Sequence, residues 1–201
     1  MMLQTSLARI SLISTWVILS YARGILSHVP WEHWAVMGVV SLALTVIILI
    51  RKKCSVYGAI ALGLTVFMGL FVLDAAVVLR YLGFTPHNSG YNLTLEFARL
   101  FHKTGQGPAE TISNIAVFIP FGFFLAESLA SLNRPVTGSW RRVGWGVLAA
   151  FGLSLCIECL QLILKVGFFE VTDLVMNVVG AFVGGSMAMI GRALFVRLRE
   201  K

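Results

Sequence analysis

Residues 156–177 read CIECLQLILKVGFFEVTDLVMN, and this stretch carries acids and carboxamides within otherwise apolar sequence. Glu158 and Gln161 lie three residues apart, so they share one face of a helix. Asp173 and Asn177 lie four residues apart and share a face in the same way. Only about six residues separate the two apolar segments, which are each long enough to cross a bilayer. The stretch therefore predicts an antiparallel helical hairpin in which two polar faces meet.

The composition is that of an integral membrane protein. Hydrophobic residues make up 58% of the 201-residue chain, charged residues make up 12%, and the mean hydropathy is +0.86. A soluble domain carries roughly twice that share of charge. The formal net charge of +7 is explained by Lys and Arg on cytoplasmic loops, so it predicts no nucleic-acid partner. Three cysteines are an odd number, which argues against a disulfide framework.

Five segments are long and apolar enough to cross a bilayer, which takes about 20 residues in a helix. A weaker sixth segment, residues 7–26, is predicted to be an uncleaved first span because no small-residue cleavage site follows it in good context. We therefore predict an all-α, polytopic membrane helical bundle with about six transmembrane helices. The five stronger segments are residues 31–50, 56–79, 111–132, 143–164 and 171–191.

The distribution of positive charge predicts the direction of the bundle. With the N-terminus inside, most of the 16 Lys and Arg residues fall on the inner side. Because positive residues accumulate on cytoplasmic loops, both termini are predicted to be cytoplasmic. The long connection, residues 80–110, is then outside.

This outer connection contains LTLEFARLF at residues 93–101. Its Leu and Phe residues recur at helical spacing, which predicts a short amphipathic helix. Such a helix could lie on the outer membrane surface or could simply cap the bundle.

Polar residues within the predicted spans collect in the outer half of the bundle, at a rise of about 1.5 Å per helical residue. Glu127 is the exception, near the inner end of its span. The ionised form of Glu158 is costly in apolar surroundings unless it has a partner, whereas Asp173 lies in a first helical turn, where the dipole favours a carboxylate. We interpret the convergence as a functional site. Its members are Asp74, Asn114, Glu158, Gln161, Asp173 and Asn177.

Within this site, Glu158 and Asp173 are the catalytic candidates, and Asn114, Gln161 and Asn177 are ligand-binding candidates. Each also has an interpretation without chemistry. Glu158 with Gln161 could be an interhelical clasp, and Asn114 could be a packing amide. Asp173 could be a helix cap, and Asp74 could pair with Arg80.

The remaining motifs indicate packing more than cofactor chemistry. Cys156 and Cys159 lie in the middle of an apolar helix, where a redox pair is not favoured. The histidines show no convergent ligand spacing, so no metal and no cofactor is predicted. Gly180 and Gly184 predict close packing of the last helix, and Pro120 predicts a kink or an unwound turn.

Three blocks of the sequence resemble the VanZ family of bacterial integral membrane proteins. They are NLTLEF at 92–97, SNIAVFIPFGFFL at 113–125, and the segment from ECLQ to TDLVMNVVGAFVG at 158–184. The resemblance covers about residues 90–190 and implies a VanZ-like core at 81–201 after N-terminal transmembrane helices at 1–80. It places the polar and small signature residues of the family on Asn92, Asn114, Pro120, Gly122, Glu158, Gln161, Asp173, Asn177 and Gly180.

The sequence departs from the family pattern at three places. Gly167 stands where the family usually has a basic residue, six positions before Asp173. Glu170 replaces the usual Asp, and Leu95-Glu96 replaces the usual Pro-Phe. An arginine from position 167 is therefore not available to pair with Asp173.

The resemblance implies a role in the cell envelope, in the cytoplasmic membrane of a bacterium. The family is named for a protein associated with low-level teicoplanin resistance, and teicoplanin acts on cell-wall precursors at the outer face. We therefore expect action on or near an envelope lipid or a lipid-linked cell-wall precursor, with Asn92 as a further ligand-binding candidate and membrane lipid as a partner. A small proton-coupled transporter and a non-catalytic assembly partner are the alternative hypotheses.

Overall fold

Five long helices form a bundle in a computed structural model that describes residues 29–51, 54–83, 89–95, 107–132 and 139–199. Each contains a segment long and apolar enough to cross a membrane. The predicted all-α membrane bundle is confirmed, and the predicted sixth span, residues 7–26, lies outside the described residues. The helices are α1 (Trp31–Ile50), α2 (Val56–Tyr81), α3 (Gly107–Ala130), α4 (Ser139–Leu164) and α5 (Val171–Arg199).

The bundle places apolar side chains outside and many polar side chains inside. Val39 is 67% exposed, Leu42 64% and Ile163 72%, whereas Glu158 is 3% exposed and Asn177 is 5% exposed. This distribution is the reverse of that of a soluble protein, where apolar side chains are most often buried. This distribution suits a protein embedded in a lipid bilayer, because polar groups there must find their partners within the protein.

Glycines allow α5 to pack closely against α3, the most extensive helix contact in the described structure. A Cβ atom at Gly180 would collide with the carbonyl oxygen of Ile115, and one at Gly184 would collide with that of Ile119. Small residues serve this purpose in membranes, where helices associate largely through close van der Waals packing.

Pro120 lies inside α3, which is continuously helical from Gly107 to Ala130. The unwound turn offered as one alternative for this position is therefore wrong. Proline removes one backbone hydrogen bond, and neighbouring helices can compensate for that loss in a membrane bundle.

A two-stranded parallel sheet joins the long connection to the α4–α5 hairpin. Strand β1 (Gly90–Asn92) pairs with β2 (Phe168–Glu170), so that Asn92 lies opposite Glu170. We call the end of the bundle that carries this sheet the sheet end. These two strands are not among the elements predicted from the sequence. Of its proposed amphipathic helix, residues 93–95 are not helical and residues 96–101 lie outside the described part of the chain.

A tight turn separates α4 from α5. Lys165 adopts the left-handed conformation, with φ 55°, and the Val166 N–H donates to the carbonyl oxygen of Gln161 over 2.9 Å. A left-handed residue directly after a helix commonly ends it in this manner. The turn and β2 together occupy residues 165–170, so α4 and α5 are antiparallel neighbours.

An ion pair between buried Glu127 and half-buried Arg192 joins α3 to α5 at the other end of the bundle, which we call the opposite end. Arg192 donates through Nε to Glu127 Oε1 over 2.9 Å and through Nη2 to Oε2 over 2.7 Å. The same Nη2 also donates to Ser131 Oγ over 3.2 Å. Glu127, the acid that the sequence places apart from the others, therefore has its charge compensated within the protein.

The glycine contact gives a first prediction. Gly184→Ala should lower the thermal unfolding midpoint by roughly 5–10 °C, because the added methyl collides with backbone and overpacking costs about 1–3 kcal/mol. Gly191→Ala is the matched control on the same helix, since nothing lies within 4 Å of its Cβ position. Thermal melts of the purified protein in detergent would check this. Equal midpoints for the two variants would contradict the close contact.

The Glu127–Arg192 pair gives a second prediction. Arg192→Ala should destabilise the protein by about 3 kcal/mol, because it leaves a buried carboxylate without its cation. Changing both partners, as Glu127→Leu with Arg192→Leu, should recover more than half of that loss. Arg197→Ala is the control, because Arg197 is exposed and lies five residues further along α5. Equal losses from Arg192→Ala and Arg197→Ala in chemical denaturation would refute the assignment.

Candidate functional site

Glu158 is the buried acid at the centre of the sheet end. Its Oε2 accepts a hydrogen bond from the backbone N–H of Glu170 over 2.8 Å. Glu170 is the last residue of β2 and directly precedes α5. Backbone N–H groups at the start of a helix lack partners within that helix, and the helix dipole there favours negative charge. The Glu158 carboxylate thus ties α4 to the beginning of α5.

Further charged side chains surround Glu158. Asp173, Glu170 and Arg80 all act on it electrostatically. Asp173 lies in the first turn of α5, and both it and Glu170 are half-buried. Within the described part of the chain, Glu158 is therefore influenced by two further acids and by one cation from α2.

A second polar layer lies one helical turn deeper. Asn177 Nδ2 donates to Ser154 Oγ over 2.8 Å, and both residues are buried. Among the described residues, Asn177 Oδ1 has no hydrogen-bond partner. Ser154 is not among the site residues predicted from the sequence, although its position four residues before Glu158 places it on the same face of α4. We call Ser154, Glu158, Glu170, Asp173 and Asn177 the Glu158 cluster.

Gln161 contacts a different helix from Glu158. Its Nε2 donates to the carbonyl oxygen of Ala76 over 3.1 Å. Ala76 belongs to a π-helical turn, Asp74–Val78, within α2. The expectation that Glu158 and Gln161 meet the same partner face is therefore incorrect: Glu158 reaches the start of α5, and Gln161 reaches α2. Single π-helical turns occur frequently at functional sites.

Asp74 pairs with a histidine and not with Arg80. His33 Nδ1 on α1 lies 2.7 Å from Asp74 Oδ1. The pair joins α1 to the start of the π-helical turn. Asp74 thus belongs to the same end of the bundle as the Glu158 cluster but has its own partner.

The space at Gly167 is taken by Arg80. A Cβ atom at Gly167 would lie 2.7 Å from Arg80 Nη1 and 3.0 Å from Gln161 Cδ. The guanidinium can approach so closely only because the residue has no side chain. Position 167 carries no basic side chain in the sequence, but the Arg80 guanidinium of α2 lies beside it in the structure.

The two remaining predicted ligand-binding residues lie at the edges of the site. Asn92 Oδ1 accepts from Thr94 N over 3.1 Å and from Thr94 Oγ1 over 2.6 Å, so this side chain supports a turn after β1. Backbone pairing with Glu170 nevertheless holds Asn92 beside the cluster. Asn114 is half-buried on α3 and, in the described part of the chain, makes no hydrogen bond to Glu158 or Gln161.

Comparisons with known proteins cover the part of the chain that contains these site residues. The family model described as VanZ/LLP1 matches residues 36–192. The chain is 34% identical over 103 residues to Protein VanZ of Enterococcus faecium, a match that covers 50% of this chain and 53% of that protein. The chain thus spans about half the length of this relative. No solved structure matches. Because the family model covers most of the chain, the resemblance is confirmed, and the chain belongs to the VanZ/LLP1 family.

Proposed function

We propose that this protein binds a lipid-linked cell-wall precursor or an envelope lipid at the outer leaflet of the cytoplasmic membrane. The observation that carries the proposal is the buried Glu158, held by the Glu170 N–H and facing Asp173. Acids within membrane helices are costly and mark functional sites by default. Here the acids converge at one end of the bundle.

The outer location rests on the distribution of charge. The sheet end carries the Glu158 cluster, whereas the opposite end carries most of the described arginines. Positive residues favour the cytoplasmic side, which puts the opposite end inside and the cluster outside. The arginines at the opposite end are Arg51, Arg141, Arg142, Arg192, Arg197 and Arg199.

The chemistry of the cluster favours a ligand that donates hydrogen bonds. Carboxylates of Glu158, Glu170 and Asp173 are acceptors when ionised, and Asn177 Oδ1 adds a buried acceptor. Hydroxyl and amino groups of a glycan or amino-acid head group would match these acceptors. Glu158 and Asp173 could also exchange protons with such a head group. Through this binding, the protein would change teicoplanin susceptibility.

A packing role without chemistry is the second candidate. The Asn177–Ser154 and Gln161–Ala76 bonds each join two helices, and polar side chains commonly stabilise helix pairs in membranes. The transporter alternative has less support, because Glu127 is engaged by Arg192 in a two-point ion pair. The packing role differs from ligand binding in one measurable respect. If these residues only pack helices together, loss of function must follow loss of stability.

Membrane orientation is tested by cysteine labelling. In a variant without Cys54, Cys156 and Cys159, Tyr91→Cys at the sheet end and Trp140→Cys at the opposite end each introduce one exposed thiol. On intact cells, a membrane-impermeant maleimide should label position 91 and should label position 140 only after permeabilisation. The reverse pattern would place the cluster on the cytoplasmic side and refute the proposal.

The function itself is tested by removing single charges. Glu158→Gln and Asp173→Asn should abolish the change in teicoplanin susceptibility that the wild-type protein confers on a susceptible host, because each replaces a carboxylate oxygen by an NH2 donor and removes proton exchange. Glu32→Gln is the matched control, since Glu32 is an exposed acid at the same end. Minimum inhibitory concentrations are the readout, with thermal melts of each purified variant beside them.

Three outcomes would count against the proposal. If both variants fold and keep the wild-type phenotype, the cluster is not a functional site. If activity falls only in proportion to thermal stability, the packing role is correct. If the wild-type protein leaves teicoplanin susceptibility unchanged, the glycopeptide part of the proposal fails.

A further inference from the structure

Strand β1 and the residues that follow it expose three large apolar side chains. Tyr91 is 72% exposed, Leu93 65% and Leu95 46%. Residues 90–95 read GYNLTL and include no charged residue. We propose that Tyr91, Leu93 and Leu95 form an interfacial anchor, a surface that inserts into the phospholipid head-group layer of the leaflet at the sheet end.

The contacts that fasten this segment to the bundle leave the three side chains exposed. The backbone of β1 pairs with β2, and Thr172 Oγ1 on α5 donates to the carbonyl oxygen of Thr94 over 3.4 Å. Because successive side chains of a strand point to opposite faces, half-buried Asn92 lies on one face of β1 and exposed Tyr91 on the other. The segment is thus held on its polar side and presents its apolar side away from the bundle.

The length of α4 places the sheet at the membrane surface. This helix contains 26 residues, which corresponds to about 39 Å at 1.5 Å per residue. A bilayer with its head-group layers is about 40–45 Å thick, so an upright α4 ends within the head-group layer and a tilted one ends deeper. Strand β2 begins at Phe168, shortly after α4 ends at Leu164, and leads directly into α5. Because β1 pairs with β2, it lies at the same level.

Exposed aromatic residues mark this level on two helices. Trp31 is the first residue of α1 and Tyr81 the last of α2, and both are exposed at the sheet end. Trp and Tyr are enriched at membrane–water interfaces, where one part of the side chain meets lipid and the other meets water. Tyr91 is a third exposed aromatic residue at this end. Lipid that covers the bundle therefore also covers the anchor, and apolar burial there is favourable.

The anchor brings lipid head groups beside the Glu158 cluster. Asn92 lies between two anchor residues and opposite Glu170, whose N–H is bonded to Glu158. A lipid next to the anchor is therefore one strand away from the cluster, and it can reach the cluster sideways without leaving the leaflet. This inference concerns the depth of the sheet and holds for a packing role as well as for the proposed function. A depth measurement can fail while the susceptibility measurement succeeds, and the reverse.

The depth of the anchor is measured with a fluorophore on a single thiol. In the cysteine-free variant used for the orientation test, Leu93→Cys is labelled with a nitrobenzoxadiazole maleimide, and the full chain is reconstituted into phosphatidylcholine vesicles. Part of the lipid carries bromine, either near the head-group end of the acyl chains or near their methyl end. Val39→Cys, exposed in the middle of α1, is the reference for lipid, and Arg199→Cys, exposed at the end of α5, is the reference for water.

The label at position 93 should be quenched roughly threefold more by bromine near the head groups than by bromine near the methyl ends, because the anchor lies in the interface. The label at position 39 should show the opposite preference, and the label at position 199 should respond mainly to aqueous iodide. Quenching of position 93 by iodide but not by brominated lipid would place the segment in water and overturn the proposal. Quenching by neither agent would show that protein covers the segment, which would overturn it as well.

A second variant tests whether the apolar side chains hold the anchor in place. Tyr91→Ser combined with Leu95→Ser removes apolar area without adding charge beside the cluster. It should lower the quenching of position 93 by brominated lipid roughly twofold, because less apolar surface is buried. Unchanged quenching at position 39 in the same background would show that the bundle still inserts. If quenching at position 93 is also unchanged, these side chains do not anchor the segment and the proposal is wrong.

Discussion

The hydrogen bond from the Glu170 N–H to the Glu158 carboxylate is the interaction on which the sheet end depends. It joins the single acid of α4 to the junction of β2 and α5 over 2.8 Å. Strand β2 in turn holds β1, and through β1 it holds the long connection. One buried carboxylate therefore organises three separate stretches of chain. Burial and the neighbouring acids Asp173 and Glu170 oppose its charge, whereas the Glu170 N–H at the helix N-terminus and Arg80 favour it.

Lipid imposes the wider pattern of the fold. Since a bilayer offers polar groups no water, the bundle turns its acids and amides inward and pairs them. At the opposite end the pairing is a direct ion pair, Glu127 with Arg192. At the sheet end it is a broader arrangement in which Asp173, Glu170 and Arg80 act on Glu158 and, among the described residues, Asn177 Oδ1 has no hydrogen-bond partner. The ion pair at the opposite end serves to hold α3 and α5 together, and the acceptor-rich sheet end is the one suited to a ligand.

The sequence predicted the parts that depend on local periodicity. Apolar length predicted the helices, and the spacing of Glu158 and Asp173 predicted a polar hairpin. It could not predict contacts that depend on how helices rotate against one another. Arg80 lies 87 positions before Gly167 in the sequence, and the packing of α2 against the α4–α5 hairpin brings the two together. The His33–Asp74 pair likewise joins residues 41 apart. The parallel pairing of β1 with β2 could not be predicted from the sequence, because each strand is only three residues long.

The central claim is that the Glu158 cluster binds a hydrogen-bond-donating head group at the outer leaflet. Its most direct test is mass spectrometry of the lipids that remain bound after gentle purification from bacterial membranes. The account predicts that the wild-type protein retains a glycan- or amino-acid-bearing lipid and that folded Glu158→Gln protein does not. Identical lipid profiles for the two proteins, with equal thermal midpoints, would contradict it.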